Sequence, residues 1–294
     1  MMFLDEAAVR KHVEIPDLIE AMRRAFIDFS AGKVQQPVRQ MIPQHGGFFG
    51  IMPASGAAMG IKMVTYYPNN AEQNLPAHMA MIALFKPETG EPLAVMDGTW
   101  ITEIRTAACS AVATEVMAPP DAKVLAILGT GVQGRAHVEV LPHVRDFEEI
   151  RVWNRTRANA ERFVEEHGGV VMSAEEAVRE ADVIVTGTSA QEAILEGAWL
   201  KPGAHVNAVG SPRPDWRELD DAVMANVVVV DSYEGARTES GDVILSGCEV
   251  HAELGEVLAG TKPARADEIT VFKSLGMAIE DVASASLVYE NAKG

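Results

Sequence analysis

The sequence is short of cysteine, of positive charge and of long apolar runs. Two cysteines among 294 residues, Cys109 and Cys248, cannot build a disulfide framework, so a reducing compartment is expected. Lysines and arginines number 25 against 42 aspartates and glutamates, a formal net charge of −17. Nucleic acid and anionic membrane surfaces both need a basic face to meet their phosphates, so neither is an expected partner. No stretch approaches the roughly 20 apolar residues of a membrane span. The run Met1-Met-Phe-Leu4 stops at Asp5, which is too short for a signal peptide, and a cytoplasmic location is expected. Histidine, cysteine and acidic residues show no metal-ligand spacing, so no metal is expected.

What is present is an ordinary globular composition, 48% hydrophobic, of a length that suggests two domains. Pro16 opens a helix, Leu18, Ile19, Met22, Phe26 and Phe29 recur at helical spacing, and Gly32 is its stop. Short β-like runs follow at Gly47–Met52, Met59–Tyr67, His78–Lys86 and Leu93–Met96, then a helix over Thr99–Met117. Pro119-Pro120 marks a boundary. Beyond it, strands at Val124–Leu128, Ile150–Trp153, Val183–Thr186, His205–Val209 and Val227–Val230 alternate with helices. Ser173-Ala-Glu-Glu176 is a capping box that opens one of them. This pattern predicts an α/β fold with a Rossmann-type doubly wound parallel sheet. The tail, Gly276–Ala292, reads as one helix returning to the first domain.

The strand Val124–Leu128 runs into Gly129-Thr130-Gly131-Val132-Gln133-Gly134 and then a helix. This is the context in which glycines let a pyrophosphate approach the backbone and a helix N-terminus hold it. A site for NAD would carry an acid after the second strand. Here that strand ends in Asn154-Arg155-Thr156-Arg157, which suits a 2′-phosphate, so NADPH/NADP is expected in preference to NADH/NAD. Thr186, Thr188 and Ser189 sit at the same sheet edge and can flank the cofactor.

Three cations of the first domain stand out: Arg39, Lys62 in an apolar strand, and Arg105 in an apolar helix. Each could simply be ion-paired, Arg105 with Glu103 or Asp97, or they could converge on a substrate carboxylate. A lysine beside two arginines would have a lowered pKa, fit for proton transfer near neutrality. His78 reads as a core or turn histidine.

The chain resembles the ornithine cyclodeaminase/mu-crystallin family along its whole length. The resemblance rests on Gly60-Ile-Lys-Met-Val64, Leu75-Pro-Ala-His78, Arg105-Thr-Ala-Ala108, the glycine loop, Trp153-Asn-Arg-Thr156, Arg213-Pro-Asp-Trp-Arg-Glu-Leu-Asp220 and Ile269–Met277. It implies a substrate-binding and dimerisation α+β domain over 1–118, completed by helix 276–294, and an NADP(H)-binding Rossmann domain over 119–275. It also implies a homodimer, and a substrate held with the nicotinamide between the domains. Arg39, Lys62 and Arg105 match the residues that hold the substrate carboxylate and assist proton transfer. Where ornithine cyclodeaminases carry an aspartate that handles the substrate amine, this sequence has Pro212. The resemblance therefore implies an NAD(P)H-dependent reductase acting on the C=N bond of a small α-imino acid. Cyclodeamination of ornithine or lysine with a tightly held cofactor, and non-catalytic NADP(H)-dependent binding of a small molecule, are the alternatives.

Overall fold

The computed structural model describes residues 1–294 apart from the side chain of Ala71. The chain divides into two compact units, residues 1–105 with 276–294, and residues 106–275.

The first unit contains β1 (Met2–Leu4), α1 (Glu6–Lys11), α2 (Ile15–Ser30), β2 (Gln40–Gln44), β3 (Gly47–Ser55), β4 (Met59–Tyr66), β5 (His78–Phe85) and β6 (Pro92–Asp97). Helix α2 starts with proline in its first turn and buries Leu18, Ile19, Met22, Ala25 and Phe26 along one stripe. The strands form one sheet in the order β1-β6-β5-β4-β3-β2, antiparallel except for the β1–β6 pair. Strand alternation buries Gly60, Lys62 and Val64 of β4 on one face. The C-terminal helix, Ala278–Lys293, packs against α2 and against β3, β4 and β5. It contributes Val282, Ala285 and Val288 to the core.

Helix α3 (Thr99–Met117) runs from the first unit into the second. Asp97 caps its start, accepting from the backbone N–H of Thr99 at 3.0 Å and of Trp100 at 3.2 Å. The expected boundary at residues 118/119 lies at the end of this helix, whereas the two units divide at 105/106. The reason is chemical. From Ser110 onward the polar groups of α3 bond to the second unit: Ser110 with His137, Thr114 with Asn207, and the Met117 carbonyl with Thr270.

The second unit continues with β7 (Val124–Leu128), α4 (Val132–Val140), β8 (Glu149–Trp153), α5 (Arg157–His167), β9 (Val170–Val171), α6 (Ala174–Val178), β10 (Val183–Thr186) and β11 (His205–Ala208). It ends with α7 (Asp221–Met224), β12 (Val227–Val230), α8 (Tyr233–Glu239), α9 (Gly241–Ser246), β13 (Val250–Glu253), α10 (Leu254–Leu258) and β14 (Thr270–Lys273). All eight strands are parallel, in the order β13-β12-β14-β11-β10-β7-β8-β9. Strands β10, β11, β12 and β14 are buried at every residue, as the inner strands of a parallel sheet are. The order reverses at β7, whose neighbours β8 and β10 lead away in opposite directions. In such sheets the carboxyl ends beside the reversal are where ligands bind. Ser173 and Glu176 form the expected capping box on α6. Among the described residues, no helix is long and apolar enough to cross a membrane.

Arg145 closes the far end of α3. Its guanidinium donates to the carbonyls of Thr114, Glu115, Ala118 and Pro119, which cluster where the helix runs out. Replacing Arg145 by methionine is expected to lower unfolding stability by about 2 kcal/mol, read as a lower urea midpoint with an unchanged slope.

Candidate functional site

The glycine loop joins β7 to α4. Gly129 has φ +115°, and a Cβ there would meet the Gly187 carbonyl oxygen at 2.7 Å. A Cβ on Gly134 would lie 2.2 Å from the Gly129 carbonyl oxygen, so no other residue allows the helix this close to its own loop. Gly131 caps α4 without any side-chain hydrogen bond, and a Cβ added there would meet nothing within 4 Å. The first amides of α4 thus lead into open space, as a phosphate cradle requires. Gln133 Oε1 is buried and has no hydrogen-bond partner.

A cleft of about 320 Å³ lies beside this loop, lined by Gly129, Thr130, Gly131, Trp153, Asn154, Arg155, Thr156, Asn159, Gly187, Thr188, Ser189, Ala190 and Ile194. Asn154 ties its walls together. Its Nδ2 donates to Thr130 Oγ1 at 2.7 Å, and its Oδ1 accepts from the Thr156 backbone N–H at 2.9 Å. Of the expected cofactor residues, Gly129, Thr130, Gly131, Asn154, Arg155, Thr156, Thr188 and Ser189 line this one cleft. Val132, Gln133 and Gly134 form the first turn of α4. Two others stand apart. Arg157 pairs with Glu161 at 2.8 Å on the exposed face of α5, and Thr186 is fully buried, its hydroxyl donating to Glu218 at 2.8 Å. The cleft therefore offers a nicotinamide dinucleotide a backbone cradle for its pyrophosphate and polar donors around its ribose.

In the first unit Lys62 and Arg105 are almost fully buried, at 2% and 3% exposure. Cations at that depth need partners, and they find them on the C-terminal helix. Lys62 Nζ lies 2.6 Å from Asp281 Oδ2. Arg105 Nε lies 2.9 Å from Asp281 Oδ1, and its Nη1 lies 2.6 Å from Glu280 Oε2. Arg39 Nη2 donates to the Gly276 carbonyl at 3.2 Å. Gly276 has φ +82°, and a Cβ there would meet both terminal nitrogens of Arg105 at 2.7 Å. The helix N-terminus is pinned in turn by Gln36, whose Oε1 accepts from the Ile279 backbone N–H at 2.9 Å.

Arg39, Lys62 and Arg105 thus come together through residues the sequence reading passed over: Gly276, Glu280 and Asp281. Their signal was present in two acids in the first turn of an otherwise small and apolar helix. Burial lowers the Lys62 pKa to about 8; Asp281 opposes that drop, and Arg105 and Arg39 add to it. The neighbouring arginines are therefore a lesser cause than the sequence suggested. Burial alone would raise the Asp281 carboxyl, but Arg105 and Lys62 outweigh it and hold the group below the usual carboxylate range. His78 feels the same field. Burial first, and then Lys62, push it down to about 4, so it is neutral at pH 7.

Asp281→Asn should leave two buried cations short of a counter-charge. A stability loss of about 3–5 kcal/mol is expected by chemical denaturation, since breaking one side of a buried pair strands the other.

Comparison with known proteins identifies the family. The sequence profile of the ornithine cyclodeaminase/mu-crystallin family matches residues 1–294. Ketimine reductase mu-crystallin of Mus musculus is 50% identical over 302 aligned residues, covering 98% of this chain and 96% of that protein. The solved Delta(1)-pyrroline-2-carboxylate reductase of Thermococcus litoralis, in complex with NADH and L-proline, superposes with a TM-score of 0.93 at 39% identity. That match covers 100% of this chain and 98% of the other. An archaeal alanine dehydrogenase dimer with bound NAD gives a TM-score of 0.95 at 35% identity, covering 100% and 96%. The chain belongs to the ornithine cyclodeaminase/mu-crystallin family.

Proposed function

We propose that this protein is an NAD(P)H-dependent oxidoreductase that reduces the C=N bond of a small α-imino acid. The observation that carries the reading is the buried cation cluster. Arg39, Lys62 and Arg105 gather at the start of the C-terminal helix, Lys62 and Arg105 paired with Asp281 and Glu280 and Arg39 donating to the Gly276 carbonyl. Two guanidinium groups and an ammonium gathered at one place suit a substrate that bears a carboxylate. Relatives support the chemistry: mu-crystallin of Mus musculus is named a ketimine reductase, and the Thermococcus litoralis enzyme was solved with NADH and L-proline.

Reduction of a C=N bond needs a hydride at carbon and a proton at nitrogen. The hydride is what a reduced nicotinamide supplies when bound in the glycine-loop cleft. The rest falls to the chain's own side chains. Arg105, its guanidinium plane fixed by Glu280 and Asp281, and Arg39 hold the substrate carboxylate and so orient the imine. Lys62 holds or delivers the proton at the imine nitrogen, and a lysine with a pKa near 8 is a competent acid at neutral pH. In this reading the first unit is the substrate domain and the second the cofactor domain.

NADPH is the preferred cofactor, because Asn154, Arg155 and Thr156 line the cleft where an NAD site would carry an acid. Arg157 contributes less, being turned to Glu161. A homodimer in the cytoplasm completes the proposal; the archaeal alanine dehydrogenase relative is a dimer.

The direct test is NADPH oxidation with Δ1-pyrroline-2-carboxylate and Δ1-piperideine-2-carboxylate. Turnover is expected with wild type and loss of it in a folded Lys62→Ala/Arg105→Ala double variant; normal turnover by that variant would falsify the site. The pH profile follows from the sign of the Lys62 shift. Below a pH of about 8 the ammonium is retained, so kcat/KM holds steady there and falls about tenfold per pH unit above it. Lys62→Arg should abolish that descending limb, whatever its absolute rate, because a guanidinium keeps its proton. Arg155→Ala should weaken NADPH binding by about tenfold and leave NADH binding within about twofold, read by calorimetric titration.

A further inference from the structure

Glu218 lies in none of the motifs that the proposed chemistry uses, yet it is fully buried beneath the nucleotide cleft. Its two carboxyl oxygens accept four hydrogen bonds. Oε1 accepts from the Thr188 backbone N–H and the Thr188 hydroxyl, both at 2.6 Å. Oε2 accepts from the Thr186 hydroxyl at 2.8 Å and the Gly210 backbone N–H at 3.0 Å. The Thr188 hydroxyl itself accepts from the Ala190 N–H at 3.1 Å, so its proton is directed at Glu218. Every partner of the carboxyl is a donor, the pattern of an ionised carboxylate. Burial pushes the Glu218 pKa up, and Lys273 and Thr188 oppose that rise.

The supporting charge is buried as well. Lys273 donates to the Gly210 carbonyl at 2.7 Å and pairs with Asp242 at 2.8 Å. Asp242 Oδ1 accepts from the backbone N–H groups of Glu218 and Leu219, at 2.8 and 2.9 Å. The main-chain carbonyl of Glu218 accepts from Ile194 and Leu195 at 2.8 and 3.0 Å. The loops after β10 and β11 are therefore drawn onto one side chain. They meet so closely that a Cβ on Gly210 would lie 2.4 Å from the Thr188 carbonyl oxygen and 2.5 Å from Glu218 Oε1. The segment they hold, Gly187–Ala190 with Ile194, forms one wall of the cleft, and Gly187 is in turn the contact that confines Gly129 of the glycine loop.

We infer that Glu218 is a positioning residue for the dinucleotide: its carboxylate, acting through Thr188 and Gly210, sets the cleft wall opposite Asn154 and so governs cofactor affinity. The inference rests on the cofactor reading above. The substitution Glu218→Gln keeps the size of the side chain but must turn an NH2 group toward a backbone N–H, that of Thr188 or that of Gly210, whichever way the amide is placed. The wall then shifts with no change to any group of the carboxylate-binding cluster.

The test is calorimetric titration of NADPH into wild type, Glu218→Gln, Thr188→Val and the double variant, with melting temperatures and the imine KM at saturating NADPH. Glu218→Gln is expected to weaken NADPH binding by about tenfold, and Thr188→Val by less, with the double variant no worse than Glu218→Gln. The imine KM of Glu218→Gln should stay within about twofold of wild type. A folded Glu218→Gln that binds NADPH as wild type does, with or without a lower melting temperature, overturns the inference. An imine KM that rises in step with the cofactor Kd does the same. Should Glu218→Gln fail to fold, unchanged NADPH affinity in Thr188→Val overturns it. Absence of NADPH and NADH binding by wild type would overturn the cofactor reading and this inference together.

Discussion

The first unit depends on one constraint: positive charge taken out of water must be neutralised where it lies. Lys62 is placed inward by the alternation of β4, and Arg105 by the second helical turn of α3. Neither position has water to solvate it. The acids that answer them, Glu280 and Asp281, arrive from the last helix of the chain, some 175 residues after Arg105. That helix must therefore return to the first unit, and its packing against α2 and the sheet core follows from the same requirement. The three cations gathered there are the groups that the proposed function assigns to the substrate.

The second unit applies the same rule. Its central strands β11 and β14 are buried at every residue, and their polar groups are paired: His205 with Thr270, Asn207 with Thr114, and Lys273 with Asp242. Burial pushes His137 and His205 down to about 4, so both are carried as neutral hydrogen-bonding groups. At the carboxyl end of β7, beside the reversal of strand order, the glycine loop leads into open space at Gly131. The overall charge of −17 says nothing about such places. The anion sites proposed above rest on a few local donors.

Much of this was legible in the sequence where local chemistry decides. The apolar runs gave β7, β10 and β12 to the residue, because a strand buried on both faces has no reason to alternate. The capping box of α6 and the proline-opened α2 are equally local. Strand β2 was missed because Gln40–Gln44 is exposed at every position and has no buried face to pattern it. Strand β13 was missed because Val250–Glu253 is only partly buried at three of its four residues. The three cations were visible as anomalies, but their convergence was not, since it depends on a helix distant in sequence. Glu218 could not have been found by pattern. It looks like any surface acid in Trp216-Arg-Glu-Leu219, and only the fold brings two loops and a buried lysine around it. The place of α3 was legible as a helix but not as a shared one, because the hydroxyls of Ser110 and Thr114 acquire meaning only from their partners.

The central claim is that the Lys62–Arg105–Arg39 cluster reads a single carboxylate on the reacting amino or imino acid. Calorimetric titration of the NADP-loaded protein with L-proline and with L-prolinamide tests it most directly, since the two ligands share a ring and differ at that group. The account predicts measurable binding of L-proline, loss of that binding in Arg105→Met, and no binding of the amide. Equal affinity for the acid and the amide would contradict it.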